Sequence, residues 1–98
     1  MLEDGDTRVA VLSLGCITQS WEVPLDGRCV GVVLGYDDPA RYLAQPAYLG
    51  AIVGRVAGRI SGAAFEMDGV RWALDVNEPP NHLHGGARGL HRQNWRLE

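Results

Sequence analysis

The sequence contains no lysine, and all nine of its basic residues are arginine. Its net charge is −3 with the histidines neutral, and the two signs are dispersed along the chain. A protein that grips a phosphate backbone presents a stripe of positive charge, so a nucleic-acid partner is not expected. We attribute the arginine bias to codon usage and draw no functional conclusion from it.

Cysteine is also scarce, and Cys16 and Cys29 form no Cys-x-x-Cys pair. Two cysteines are too few for a disulfide framework, so we expect two buried free thiols in a reducing, cytoplasmic environment. No apolar run approaches the roughly 20 residues that span a bilayer. The acidic residues 1–6 lack the apolar stretch of a signal peptide. Neither export nor a membrane partner is therefore expected.

The length of 98 residues and the hydrophobic content of 46% describe an ordinary globular composition. A chain of this size buries somewhat over ~60% of its unfolded surface, which permits a modest core. The sequence shows no internal repeat and no composition shift along its length. We expect residues 1–98 to form one domain or part of one.

Several segments of the first half have the pattern of β-strands. Residues 8–14 and 17–23 contain β-branched residues on alternating positions, and Pro24 is expected to end the second strand. Asp26-Gly27 predicts a tight turn. The continuous apolar run 29–34 predicts a buried strand. Asp38 before Pro39 predicts a short helical turn over residues 39–43, which Pro46 cannot continue.

The second half carries the clearest hairpin signal of the chain. Two alternating segments within residues 64–74 flank Asp68-Gly69, a pair that the type I′ turn prefers. The glycines that precede it recur at every fourth position, and Arg55 and Arg59 interrupt them, so we expect an irregular segment at a sheet edge and not a membrane helix. The whole pattern predicts an all-β chain. We expect Trp21, Trp72 and Trp95 to lie in its core.

His82 and His84 are the first candidates for chemistry. Their spacing would place both imidazoles on one face of a strand, as some metal sites require. Zinc or iron needs a third protein ligand, and His91 lies at no recognisable metal spacing from the pair. We therefore expect no metal site, although a metal-bound small barrel stays a third alternative for the whole chain.

His84 is followed directly by Gly85-Gly86. A neutral imidazole can give or take a proton near physiological pH, and the two glycines remove side-chain bulk where a ring-shaped ligand could sit. The simpler interpretation is a loop histidine that satisfies backbone groups. Arg55 and Arg59 could hold a hydroxyl-rich ligand, or they could be solvated charges and ion pairs, as most arginines are.

Several ordered motifs at consistent spacing resemble the aldose 1-epimerases, also called galactose mutarotases. The resemblance covers nearly the whole chain and is most specific at the last motif. The matching segments are Val23-Pro24, Asp26-Gly27, Val32-Val33-Leu34-Gly35-Tyr36-Asp37-Asp38, Tyr42-Leu43, Tyr48-Leu49-Gly50-Ala51, Gly54-Arg55, Gly58-Arg59-Ile60, the hairpin from Phe65 to Trp72, and Asn81-His82-Leu83-His84-Gly85-Gly86 with Gly89 and Trp95.

The resemblance implies the antiparallel β-sandwich of that family (the galactose mutarotase-like supersandwich) and an isomerase that interconverts the α and β anomers of a free hexose such as glucose or galactose. A base takes the anomeric hydroxyl proton while an acid protonates the ring oxygen, and the opened ring then closes on either face. His84 matches the histidine that assists the acid and contacts the sugar. Arg59 matches the arginine that binds sugar hydroxyls. No cofactor is implied.

Two departures from the family pattern qualify that expectation. Gly58 stands where the family usually carries asparagine, so an amide beside the sugar is missing. The family's principal acid and its glutamate base lie downstream of the Trp95 region, so the chain resembles only the N-terminal portion. We expect the chain to be incomplete as an enzyme. It is either a fragment or split gene of such an enzyme, or a short protein that assembles with itself or with a complementing C-terminal portion. The alternative is a non-catalytic carbohydrate-binding or interaction module.

Overall fold

A computed structural model of the protein describes residues 1–44, 47–96 and 98. Every strand pair in these residues is antiparallel, and the helices there are short 3-10 turns, which confirms the all-β prediction. No helix in the described part of the chain has the length and apolar character needed to cross a membrane. The strands are β1 (Leu2–Asp4), β2 (Thr7–Val11), β3 (Thr18–Leu25), β4 (Arg28–Gly31), β5 (Arg59–Ile60), β6 (Ala64–Met67), β7 (Val70–Ala73) and β8 (His82–Leu83). The 3-10 helices are Pro39–Leu43, Ser61–Ala63, Gly86–Arg88 and Leu90–Arg92.

The chain forms two compact units. The first contains Met1–Ile52 together with Asn94–Glu98, and the second contains Val53–Gln93. The first holds a four-stranded sheet in the order β1-β2-β3-β4, and the second holds the pairs β5-β8 and β6-β7.

The turn between β3 and β4 follows the prediction from its sequence. Asp26 and Gly27 both have positive φ, at 49° and 75°, as a type I′ turn requires. They connect Leu25 to its partner Arg28. Because the handedness of this turn matches the twist of the strands, the two-residue sequence is enough to set the hairpin register.

Pro24 does not end β3 as predicted, because the strand continues to Leu25. The amide of Val32 donates to the Trp21 carbonyl at 2.8 Å. Hydrogen-bonded and non-hydrogen-bonded pairs alternate along an antiparallel ladder, so Pro24 and its partner Cys29 form a pair that exchanges no backbone bonds. Residue 24 therefore donates no hydrogen bond to β4, and proline, which lacks a backbone N–H, is tolerated at this position.

The predicted burial of residues 29–34 is wrong. β4 ends at Gly31 and lies at an edge of the sheet, and the side chains that follow are exposed, with Leu34 at 80%. The expected burial of the thiols is also wrong, since Cys29 is exposed and Cys16 is half-buried, and both are free. A continuous apolar run in the sequence does not by itself show that other residues will pack over its side chains.

The core of the first unit forms around Ile17 and Tyr42, which are 1% and 4% exposed. Tyr42 belongs to the 3-10 helix Pro39–Leu43, and the Asp38 carboxylate caps that helix by accepting from the Ala40 amide at 2.9 Å. The helical turn predicted from Asp38 and Pro39 is thus confirmed. Pro46, predicted to limit it, lies outside the described residues.

The second unit contains the predicted hairpin of β6 and β7, with Asp68 and Gly69 at φ of 53° and 73°. Trp72 stacks on Phe65 with ring centroids 6.5 Å apart. Its side chain is nevertheless 49% exposed, and Trp21 and Trp95 are 44% and 39% exposed. The expectation that all three tryptophans lie in the core is wrong. A two-stranded hairpin gives Trp72 a neighbour across the pair without a second layer over the ring.

Gly85 lies directly against another backbone segment in the second unit. Its φ is +88°, and a Cβ at this position would collide with the Gly54 carbonyl oxygen. The same carbonyl accepts from the Leu90 amide at 3.2 Å. Glycine is therefore required at position 85 for two separate reasons, the backbone angle and the space.

We predict that Ile17→Ala lowers the free energy of unfolding by about 2–5 kcal/mol, because it empties a fully buried site. Chemical denaturation would measure the change. The matched control is Leu34→Ala, where the exposed side chain should contribute less than about 0.5 kcal/mol. Equal effects of the two variants would contradict the assignment of Ile17 to the core.

We predict that Gly85→Ala destabilises the protein by about 1–3 kcal/mol more than Gly62→Ala. Gly62 also has positive φ, at +61°, but a Cβ at that position would meet no atom within 4 Å. Both variants carry the left-handed backbone penalty of about 1–2 kcal/mol, so their difference isolates the collision with Gly54. Denaturation midpoints would measure it, and loss of the folded state in Gly85→Ala alone would be the extreme of the same result. Equal midpoints would contradict the close approach.

Candidate functional site

The short pair of β5 and β8 brings the two predicted site residues into neighbouring segments. Arg59 lies opposite Leu83, and Ile60 lies opposite His82. His84 follows β8 directly, and Gly58 precedes β5. Residues that are far apart in the sequence are thereby brought to adjacent positions of one antiparallel pair.

His84 is fixed by two hydrogen bonds to Gly58. Its backbone N–H donates to the Gly58 carbonyl at 3.1 Å, and the Gly58 N–H donates to Nδ1 of the His84 ring at 3.0 Å. Because Nδ1 accepts, the proton of the neutral imidazole resides on Nε2. The ring can therefore offer a proton donor on the side that faces away from Gly58.

His82 has a different environment from His84. Its side chain is buried, and Nδ1 lies 2.9 Å from the Asp75 carbonyl oxygen and 3.2 Å from its carboxylate Oδ1. His84 has a positive φ of 54°, so it leaves the strand conformation and the alternation expected from sequence does not apply. Among the described residues, no group of three His, Cys, Asp or Glu is positioned to hold a metal ion.

Arg59 forms a bidentate ion pair with Glu78. Nε donates to Oε2 and Nη2 donates to Oε1, each at 2.5 Å. The hydrogen bond and charge of Glu78 raise the pKa of Arg59, and the same contact lowers the pKa of Glu78. The arginine is exposed, so the pair is open to solvent. The ion pair that the sequence left as an alternative is present, with a partner that sequence reasoning missed.

Glu78 is within electrostatic range of both Arg59 and His84. After the contact with Arg59, the Asn81 side chain and the electrostatic influence of His84 also lower the pKa of Glu78. Glu78 and Asn81 pair across Pro79-Pro80, with backbone N···O distances of 3.1 and 2.6 Å. The available sequence signal was an acidic residue at the base of a proline turn that leads directly into the histidine motif.

Two polar side chains that the sequence analysis did not select hold the motif loop. The Asn77 side-chain amide makes two hydrogen bonds to the Leu83 backbone, donating to its carbonyl at 2.9 Å and accepting from its N–H at 2.7 Å. The Asp75 carboxylate accepts from the Ala87 amide at 2.7 Å. This bond is the main cause that lowers the pKa of Asp75, and His82 adds to it. Asn77 thus occupies both backbone groups of Leu83 in β8, and Asp75 holds the segment that follows the motif.

A cavity of the second unit is lined by other residues. It has a volume of about 760 Å³, and Arg55, Ile60, His82 and Arg88 are among its lining residues. Arg59 and His84 are not. Since Ile60 and His82 oppose each other in the β5-β8 pair, the cavity is on their side of it. The exposed Arg59–Glu78 pair and the nearby His84 are therefore not part of the cavity lining.

The sequence matches a family of known proteins over its whole length. The family model for aldose 1-epimerase matches residues 1–98. The galactose mutarotase of Bos taurus is 42% identical over 95 residues, covering 96% of this chain and 28% of the relative. The maltose epimerase of Levilactobacillus brevis is 45% identical over 89 residues, covering 91% of this chain and 26% of the relative. The chain therefore spans little more than a quarter of the length of these relatives.

The fold comparison agrees with the sequence comparison. A GalM/aldose epimerase homologue from C. elegans superposes with a TM-score of 0.87 at 30% identity, covering 94% of this chain and 29% of that structure. The predicted galactose mutarotase-like antiparallel β-sandwich is thereby confirmed as the fold class, in its N-terminal part. With the family model matching along the full 98 residues, the chain belongs to the aldose 1-epimerase family.

Proposed function

We propose that this chain supplies the sugar-holding part of an aldose 1-epimerase acting on a free hexose such as galactose or glucose. Arg59 binds sugar hydroxyls, and His84 contacts the sugar near its ring oxygen and assists the acid. The observation that carries this proposal is the Gly58 hydrogen bond to His84 Nδ1 at 3.0 Å, since it leaves the proton of the neutral ring on Nε2. A cytoplasmic location accompanies the proposal, because Cys16 and Cys29 are both free.

The roles proposed for His84 and Arg59 follow from the hydrogen-bond donors that each side chain carries. Ring opening breaks the bond between C1 and the ring oxygen, so the oxygen must gain a proton as the anomeric hydroxyl loses one. A donor at His84 Nε2 can stabilise the charge that develops on the ring oxygen. Arg59 has five N–H donors and uses two of them for Glu78, which leaves three for hydroxyl groups. These contacts orient the sugar.

A general base is the remaining requirement of the reaction. Glu78 is the carboxylate that the described residues place beside Arg59 and His84. Its ion pair lowers its pKa, and a base with a pKa far below the working pH accepts a proton poorly. We therefore assign the base to a region that the family resemblance locates downstream, and not to Glu78.

A second candidate function follows from the same observation. The Glu78 carboxylate is already engaged by Arg59. A site with Arg59, Glu78 and His84 alone could bind a sugar without isomerising it. The candidate is a carbohydrate-binding module that retains the sugar-holding half of the family's site.

We predict that His84→Gln lowers kcat for anomer interconversion by about 100-fold or more, because glutamine cannot supply a proton at neutral pH. Arg59→Ala should mainly raise KM, by about 10- to 100-fold, through loss of charged hydrogen bonds to hydroxyls. Polarimetry on freshly dissolved α-galactose with the full gene product would measure both. Arg71→Ala, on the exposed hairpin, is the matched control and should leave both constants unchanged.

Two results decide between the candidate functions. Sugar-dependent NMR shifts at His84 without any faster anomer exchange would support the binding module. A full gene product that neither binds the hexose nor accelerates its exchange would overturn both candidates.

Gly58 gives a second test. Its φ is +81° and a Cβ there would meet no atom within 4 Å, so the structure has room for a side chain. Asparagine tolerates this backbone region better than most residues. We predict that Gly58→Asn restores an amide beside the sugar and tightens hexose binding by about three- to tenfold. Gly58→Ala is the control, since it adds the Cβ without the amide. Equal sugar affinities of the two variants, measured by calorimetry, would contradict a role for the amide.

A further inference from the structure

We infer that Glu78 is a positioning residue that fixes which edge of Arg59 meets the sugar and neutralises its charge, so that the site selects uncharged sugars over anionic ones. This inference rests on the proposed sugar-binding role of Arg59. It adds a residue that the sequence motifs did not include, and it narrows the substrate class.

The geometry of the pair determines which donors are available. The carboxylate occupies Nε and one N–H of Nη2. The remaining donors are both N–H groups of Nη1 and the second N–H of Nη2. One N–H of each Nη forms the terminal edge of the planar guanidinium, which Glu78 leaves open. A bidentate contact fixes the plane of the guanidinium as well as its position. A sugar hydroxyl therefore meets a preset edge of Arg59.

The carboxylate is itself held in place. Glu78 and Asn81 bond to each other through their backbones at both ends of the Pro79-Pro80 turn. The Asn81 side chain adds a hydrogen bond to the Glu78 carboxylate. Its Oδ1 also lies 3.4 Å from the Gly62 amide, so the turn is connected to the segment after β5. Glu78 thus acts on Arg59 from a short, rigid loop.

The negative charge of Glu78 is the source of the proposed selectivity for uncharged sugars. Arg59 without a partner would attract a phosphate or carboxylate group on a sugar, since bidentate binding of such groups is what guanidinium favours. With Glu78 in place, the nearest partner site is filled and the local charge is balanced. Nearby negative charge also repels an anionic ligand directly. A neutral aldose needs only hydrogen-bond donors, and the outer edge of Arg59 still supplies them.

The test compares Glu78→Gln with wild type in the full gene product. Glutamine keeps the side-chain length and one acceptor but removes the charge. We expect galactose binding to weaken by roughly two- to tenfold through looser positioning of Arg59. We expect galacturonate binding, relative to galactose, to strengthen by about three- to tenfold at low salt. Calorimetry at two ionic strengths would measure both sugars.

Two controls separate positioning from a general structural effect. Glu66→Gln removes a carboxylate from the exposed hairpin and should change neither sugar affinity. In an Arg59→Ala background, Glu78→Gln should have no further effect on galactose binding, because Glu78 acts through Arg59. The thermal midpoint should move by less than about 2 °C in Glu78→Gln, since exposed ion pairs contribute little to stability.

The pH profile provides a further readout. The ordinary pKa of a glutamate is 4.5, and contact with Arg59 lowers that of Glu78. The ion pair is therefore fully formed above pH 4.5 and is lost as the pH falls through the lower folded value. His84 is common to wild type and Glu78→Gln, so the ratio of their galactose affinities isolates Glu78. That ratio should be constant from neutral pH down to about 5 and should fall to one only in stronger acid.

The outcomes distinguish this inference from the proposed function. If wild type binds galactose and Arg59→Ala does not, but Glu78→Gln changes neither affinity nor selectivity, the positioning role is overturned while the sugar site stands. Tighter galactose binding by Glu78→Gln would also overturn it, because Glu78 would then be a competitor for Arg59. Failure of wild type to bind any hexose would instead overturn the proposed function.

Discussion

The reciprocal contact between Gly58 and His84 is the constraint on which the candidate site depends. One bond joins the two backbones, and the other joins the Gly58 N–H to the imidazole Nδ1. Together they fix the ring position, its tautomer and the start of β5. Since Arg59 follows Gly58 directly, the same contact sets where the guanidinium begins. A local loop interaction therefore determines the geometry of two chemically different groups.

Short-range features of this fold were predictable from sequence, and burial was not. Asp26-Gly27 and Asp68-Gly69 specify their turns because the required positive φ is a property of the residues themselves. The apolar run after Cys29 gave no such information, since exposure depends on what packs against it. The same applies to Trp72, whose one neighbouring ring leaves about half of the side chain in solvent.

The candidate site shows the same difference between local motifs, which were predictable, and long-range contacts, which were not. Arg59 and His84 could be selected because each lies in a recognisable motif with glycines beside it. Glu78 had only the weaker signal of an acidic residue at a proline turn, and its pairing with Arg59 could not be predicted, since it spans 19 positions and depends on the β5-β8 register. Asn77 was missed for a related reason: its amide substitutes for backbone in holding Leu83, and no local sequence pattern encodes such a substitution. The sequence motifs indicated which side chains to consider, and the strand register determined which residues those side chains contact.

His82 and His84 show how backbone conformation assigns roles to identical side chains. Two histidines one residue apart would share a face if both were extended. His82 is extended within β8, and its buried ring is held by Asp75. His84 adopts a positive φ, and its Nδ1 is taken by an amide from β5's side of the pair. The first imidazole therefore stabilises the loop, and the second carries its proton on Nε2 when neutral. Because glycine at 85 and 86 continues the left-handed backbone, the sequence after His84 makes this divergence possible.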